Sequence, residues 1–549
     1  MRENLATLLE MVADAAGDRP VVIQGDTRLS WRELDERASR LAQRLADDGL
    51  GPGDRVAIAL YNGPAYVETI FAVLKLRCAQ VNVNYRYRER ELRDLLDDSA
   101  ATALVLDTAL TPVAAAALAR LPRVRTILRR GAPATGSDPL AGRADDYERV
   151  AAEGPSSPRA PGSGEDEWLM FTGGTTGRPK GVVWRQADLI RHVLNSGYGQ
   201  LGRPAPADMD EFAASTREVV AGALGPVTLV APPLMHGTGM YTTLGALIVG
   251  GAVVFLTSRS HDPEEMAEVI QRHPVTDLCI VGDVFARPLA DALERAAEQG
   301  RPYDLDGLRR IFSVGVTWSA EVKERLLRHC DARLDDVIAA SEGGPFARSV
   351  TVRGERSVTS RFELVPGARV IDENGTDVEP GSGQVGLLAA PAPERTHYLG
   401  DPVKSAATFR DVDGRRYCVP GDLARIEADG SLTLLGRDGR VINTGGEKVF
   451  AEEVEQVIAR HPDVDDVYVV GVPDERWGHR IAAVVAVPDG AHVSPEQVRA
   501  RVTDELADYK QPRDVVFVPE LRRSPAGKPD LAWARAVVAD ATAPAAERR

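Results

Sequence analysis

From Trp31 to Asp48 apolar residues recur at the three-to-four spacing of a helix, directly after Ser30, a residue type that caps the free N–H groups of a first turn. Arg55–Leu60 is a short apolar run and predicts a strand, Pro64–Leu76 predicts a helix, and Ala103–Leu106 a second strand. Strands alternating with helices predict an α/β sheet covered on both faces. Arg130–Gly164, rich in Ala, Gly, Pro and Ser, reads as a surface connection, and Pro204–Val220 as a polar, partly helical insertion. Between Phe362 and Leu435 short strands broken by turns such as Glu373-Asn374-Gly375 and Asp413-Gly414 predict an antiparallel or barrel-like region. Beyond Arg437 the pattern changes again: helix at Ala451–Arg460, strands at Val467–Val472 and Ile481–Val487, helix at Pro495–Leu506, and a fraying tail from Ala541. This predicts a small α+β domain.

With 549 residues the chain is too long for one core, so two or more domains are expected. The boundary falls between 437 and 438, giving domains 1–437 and 438–549. A formal charge of 66 − 81 = −15 disfavours nucleic acid and anionic membranes but leaves room for small anionic ligands. Cys78, Cys279, Cys330 and Cys418 are widely spaced and suggest no metal site. MRENLATLLE lacks the pattern of a signal peptide, and the longest apolar run, Leu244–Leu256, is too short to span a bilayer. The expectation is a cytoplasmic protein with reduced thiols.

The chemistry-bearing segment is Phe171-Thr172-Gly173-Gly174-Thr175-Thr176-Gly177-Arg178-Pro179-Lys180-Gly181, after an expected strand at Glu167–Phe171. Its glycines let backbone N–H groups approach a ligand, its threonines add hydroxyls and Lys180 adds a cation, a combination suited to phosphates. It is not the GxxxxGK[ST] loop, because Arg178-Pro179 separate Gly177 from Lys180.

This segment resembles the (Y/F)TSGTTGxPKGV signature of the ANL superfamily of adenylate-forming enzymes, with Gly173 in place of Ser. Further segments resemble the family's motifs in order along nearly the whole chain. They are Pro232-Pro233-Leu234-Met235-His236-Gly237-Thr238-Gly239, Ser313-Val314-Gly315-Val316-Thr317, Ile338-Ala339-Ala340-Ser341-Glu342, Tyr417-Cys418-Val419-Pro420-Gly421-Asp422, Gly436-Arg437, Thr444-Gly445-Gly446-Glu447-Lys448-Val449 and Ser524-Pro525-Ala526-Gly527-Lys528. The resemblance implies a large N-terminal domain of two α/β sheets plus a small β-barrel, followed by a small mobile α+β domain.

It also implies ATP, Mg²⁺ and coenzyme A as cofactors and a small carboxylic acid as partner, with a homodimer left open. In that reading Thr172, Gly173, Gly174, Thr175, Thr176, Gly177 and Lys180 hold phosphates. Gly315 and Val316 border adenine, Ser341 meets the α-phosphate, and Glu342 helps hold Mg²⁺. Asp422 takes the ribose hydroxyls and Arg437 the ribose and phosphate side. Gly445 and Gly446 border the pantetheine tunnel, and Lys528 bridges the acid and the α-phosphate. His236, Gly237, Met240, Gly282, Gly315 and Ala340 line the acyl pocket, His236 as its gate, and Gly439 falls at the hinge. Catalysis is assigned to Lys528, Glu342, His236 and Thr172. Alone, His236 would read as a core histidine and Glu342 as a solvated loop acid.

Amino-acid-activating relatives carry an Asp after the His motif, and here Met240-Tyr241-Thr242-Thr243 has none. FTGGTTG, PPLMHGTG, VGDVFARPL and INTGGEKVF together look most like actinobacterial FadD-type ligases, which implies a bulky polycyclic acid, steroid-like or diterpenoid. The glycines at 237, 239, 282 and 315 fit either a roomy pocket or tight backbone turns. An enzyme that hands acyl-AMP to another protein and a non-catalytic nucleotide-binding homologue are the rival readings.

Overall fold

The computed structural model describes residues 2–132, 138–172, 179–315, 318–355, 358, 361–437, 441–488, 490–522 and 530–542. Two compact units emerge. One comprises Met1–Tyr85, Leu95–Phe171 and Gly181–Leu435; the other comprises Gly436–Arg549 with the excursions Arg86–Asp94 and Thr172–Lys180.

In the first unit the expected alternation forms two sheets. The first is five-stranded; Ala79–Asn82, Arg55–Ala59, Ala103–Asp107, Thr126–Arg130 and Asp145–Asp146 lie side by side and parallel. Ala103–Asp107 is buried along its whole length, as a strand covered on both faces must be. The second sheet runs from parallel Pro20–Gln24, Ala252–Phe255, Val227–Val230, Asp277–Ile280, Arg310–Val314 and Arg333–Ala340 into antiparallel strands between Gly343 and Arg437. The helix expected at 31–48 spans Trp31–Asp47, and Ser30 and Glu33 close a capping box at its start.

The expected surface connection at 130–164 is more ordered than its composition suggests. Asp146 caps a helix at Tyr147–Glu153, whose Tyr147 is fully buried and donates to Glu68 Oε2 at 2.8 Å. The insertion at 204–220 carries a helix at Met209–Ala221, capped by Asp208.

A three-stranded sheet, His397–Tyr398, Lys180–Arg185 and Glu167–Thr172, matters most for the site. Its outer strand brings Tyr398 opposite Val182.

The second unit holds a sheet of Glu447–Phe450, Val441–Thr444, Gly478–Ala486, Asp466–Asp474 and Asp514–Val518. Strict alternation serves two cores at once. Val467, Val469, Ile481, Ala483 and Val485 face the helices Ala451–Ile458 and Pro495–Glu505, while Tyr468, Val470, Ala482 and Val484 face Leu531–Thr542.

Candidate functional site

Ser341 and Glu342 form the turn between antiparallel Arg333–Ala340 and Gly343–Thr351, where Ala340 pairs with Gly343. Two side chains fix this turn from the three-stranded sheet: Trp184 Nε1 donates to the Ser341 carbonyl at 3.0 Å, and the Tyr398 hydroxyl donates to Glu342 Oε1 at 2.5 Å. Glu342 is only 9% exposed and Tyr398 only 4%. Burial, and then the Glu342 charge, push the Tyr398 phenol well above its usual range, so its proton stays on. Gly343 follows because a Cβ there would stand 3.3 Å from that of Cys418.

The His236 segment is held by two asparagines. Asn62 donates to the Pro232 carbonyl at 2.9 Å and accepts from Leu234 N–H at 2.7 Å. Asn82 donates to the carbonyls of Met235 at 2.7 Å and Phe171 at 2.8 Å, and accepts from Phe171 N–H at 2.7 Å. His236 occupies the N-cap of the helix Gly237–Ile248 with its carbonyl accepting from Met240 N–H.

The expected pocket glycines separate into two kinds. At Gly239 a Cβ would come within 2.6 Å of the Pro233 carbonyl oxygen, and Gly282 has φ +51°; backbone geometry explains both. At Gly237 a Cβ would meet side chains instead, Ser341 Oγ at 3.2 Å and the Tyr241 ring at 3.3 Å, so this glycine brings the helix start against the serine turn. Gly315, at φ +109°, has Val281 Cγ1 at 3.8 Å as its neighbour. Met240, expected at the pocket, is fully buried in the core of the first unit, as its face of the helix requires.

Beside them His192 lies between Trp184 and Tyr241, with ring centroids 5.8 and 5.5 Å away. Burial lowers its pKa to about 4, so the imidazole is neutral.

Asp422 begins the strand Asp422–Ile426 after Gly421 at φ +96°, and Arg437 ends the strand Leu432–Arg437. Thr172 ends one strand and Lys180 begins the next. Gly173, Gly174, Thr175, Thr176, Gly177, Val316, Gly439 and Lys528 lie outside the described residues.

In the second unit Gly445 and Gly446 make the turn between Val441–Thr444 and Glu447–Phe450, at φ +60° and +82°. A Cβ on Gly445 would meet the Trp477 ring at 2.6 Å, and its N–H donates to the Trp477 carbonyl. Lys510, 4% exposed, donates to Glu91 at 2.9 Å and Glu453 at 3.0 Å. Burial opposes its charge, but the two carboxylates outweigh it and hold the ammonium above its usual pKa. Among the described residues no group of three or more His, Cys, Asp or Glu could hold a metal ion, and no helix is long and apolar enough to cross a membrane.

Asn62, Asn82, Trp184 and Tyr398 were invisible as site residues in the sequence. Their partners lie far away along the chain, 153 residues for Asn82 and Met235, 157 for Trp184 and Ser341.

Comparison with known proteins agrees with this geometry. The AMP-binding enzyme model matches residues 9–390 and the AMP-binding enzyme C-terminal domain matches 453–528. The chain is 38% identical to a 3-oxocholest-4-en-26-oate–CoA ligase of Rhodococcus rhodochrous, over 97% of this chain and 96% of that one. It is also 38% identical to a medium/long-chain-fatty-acid–CoA/3-oxocholest-4-en-26-oate–CoA ligase of Mycolicibacterium smegmatis, over 98% and 97%. Among solved structures, the amide bond synthetase McbA of Marinactinospora thermotolerans superposes with a TM-score of 0.79 at 25% identity, covering 96% of this chain and 99% of that one. The protein belongs to the AMP-binding enzyme family, the ANL superfamily of adenylate-forming enzymes.

Proposed function

We propose that the protein is an AMP-forming acid–thiol ligase that takes a bulky polycyclic acid, steroid-like or diterpenoid, to its coenzyme A thioester. The carrying observation is the Ser341–Glu342 turn, clamped by Trp184 and Tyr398 and touched by the start of the His236 helix. It brings a phosphate-side serine and a buried carboxylate against the edge of an acyl-side helix. The names of the curated relatives support the substrate class.

In the first step a carboxylate oxygen of the acid attacks the α-phosphorus of ATP. The new O–P bond forms as the bond to pyrophosphate breaks, and Lys528 stabilises the two anions that meet. Thr172, Lys180 and the intervening loop hold the phosphates, Ser341 meets the α-phosphate, Asp422 takes the ribose hydroxyls, Arg437 its phosphate side, and Gly315 and Val316 border adenine. Mg²⁺ neutralises phosphate charge when bound. A single buried carboxylate, Glu342, suits a hard cation that keeps its remaining ligands from phosphates and water. In the second step the thiolate of coenzyme A attacks the acyl carbonyl and AMP leaves, with Gly445 and Gly446 bordering the thiol's path. The two steps use different faces of the C-terminal domain, 438–549, which turns about Gly439. The setting is cytoplasmic.

The test is a panel of carboxylic acids, with AMP and thioester measured separately. Polycyclic acids should give both products, and Lys528→Ala should lower adenylation by about 10²–10³-fold. AMP without thioester would favour a different acyl acceptor, the reading that the likeness to an amide bond synthetase keeps alive. No pyrophosphate exchange with any acid would end the proposal.

A further inference from the structure

Tyr398 makes no use of its chemistry in the mechanism above, yet it is buried, donates to Glu342 and is held on several sides. Its ring is packed by Phe409 at 6.1 Å and by the Lys404 ammonium at 5.3 Å. Its backbone N–H donates to Ser405 Oγ at 2.9 Å, and Ser405 Oγ in turn donates to the Asp401 carbonyl at 2.7 Å. Tyr398 is itself buried, so the ring is closed in around the hydroxyl. The phenol held in this way donates to Glu342 Oε1.

A carboxylate on a two-residue turn has free rotation about its side-chain bonds unless something holds it, and ordering it costs rotamer entropy. Mg²⁺ is exacting about the direction and distance of its oxygen ligands, about 2.0–2.1 Å in near-octahedral geometry. A donor that fixes the carboxylate plane before the nucleotide arrives removes that ordering cost from metal binding, as partners of metal ligands commonly do. A phenol suits this position better than an arginine or lysine would, because it donates one hydrogen bond without adding a positive charge that repels the cation.

We propose that Tyr398, seated by Ser405, is a positioning residue that presets the Glu342 carboxylate for the Mg²⁺ of the nucleotide complex. The proposal rests on the reading of Glu342 as the magnesium carboxylate. It goes beyond that reading by assigning the metal's geometry to a strand that lies 56 residues further along the chain.

The experiment measures ATP binding by calorimetry to the full-length protein with and without Mg²⁺, together with the Mg²⁺ dependence of pyrophosphate exchange. Glu342→Gln should abolish most of the gain in ATP affinity that Mg²⁺ provides. Tyr398→Phe should lower that gain by about 10-fold and raise the apparent KM for Mg²⁺, with affinity for metal-free ATP little changed. Ser405→Ala, which removes the acceptor of the Tyr398 backbone N–H, should act in the same direction and more weakly, and serves if Tyr398→Phe folds poorly. Tyr398→Phe in the Glu342→Gln background should add nothing. If Glu342→Gln alone leaves the Mg²⁺ effect intact, the reading of Glu342 falls and the proposal with it. If Glu342→Gln removes the effect while Tyr398→Phe and Ser405→Ala lower only the melting temperature, the reading stands and Tyr398 is merely structural.

Discussion

The serine–glutamate turn of the first unit and the Lys510 cluster of the second solve the same problem, holding a buried carboxylate, with opposite means. Glu342 receives a neutral phenol, and the segments around it are tied down by uncharged Trp184, Asn62 and Asn82. Glu91 and Glu453 receive a buried lysine at 2.9–3.0 Å. On the proposed reading of Glu342 as the magnesium carboxylate, a phenol partner holds the carboxylate without cancelling its charge. At the second site Lys510 instead neutralises two acids at once and closes the gap between them.

The contrast can be broken at several points. The largest stability effect is expected at Lys510→Met, which leaves two buried carboxylates without their cation and should cost about 3–5 kcal/mol in denaturant unfolding. Adding Glu91→Gln and Glu453→Gln should recover much of that loss; a triple variant as unstable as the single one would show that charge is not the issue. Next, Asn82→Ala removes three hydrogen bonds in a neutral setting and should cost about 1–3 kcal/mol. It should also raise KM for both the acid and ATP, because Met235 precedes His236 and Phe171 precedes Thr172; unchanged KM values would argue that the clamp serves the fold alone. The smallest effect concerns pH. The folded His192 pKa, about 4, lies below the ordinary value, so the unfolded chain binds this proton first. Stability is unaffected above about 6.5 and declines as pH falls from there towards about 4. His192→Phe should flatten that decline in melting curves; an unchanged slope would place the acid sensitivity elsewhere.

Much of this arrangement was legible in the sequence because the relevant residues are neighbours along the chain. Ser341 and Glu342 are adjacent, so a local pattern carries both. Strand and helix alternation was readable wherever burial is complete, as at Ala103–Asp107. The clamps were not legible. Asn62, Asn82, Trp184 and Tyr398 are single residues in ordinary segments, and only the pairing of strands such as Tyr398 with Val182 gives them their partners. The helix at Tyr147–Glu153 was masked by the Ala, Gly and Pro around it, although Asp146 offered a cap. Glycine was legible only as an alternative, pocket space or backbone turn; at 239 and 282 carbonyl proximity and left-handed backbone each supply a backbone reason.

Gly237 constrains how this enzyme can be redesigned. The position invites substitution by anyone wishing to narrow or reshape substrate range, yet the first atom added there would stand 3.2 Å from Ser341 Oγ. On the proposed roles of the two residues, selectivity for the acid and grip on the nucleotide share one wall, and a mutation aimed at the former is felt by the latter. Independent tuning of substrate range has to start further along the helix Gly237–Ile248 or on its neighbour Gln186–Gln200, away from that shared atom-width.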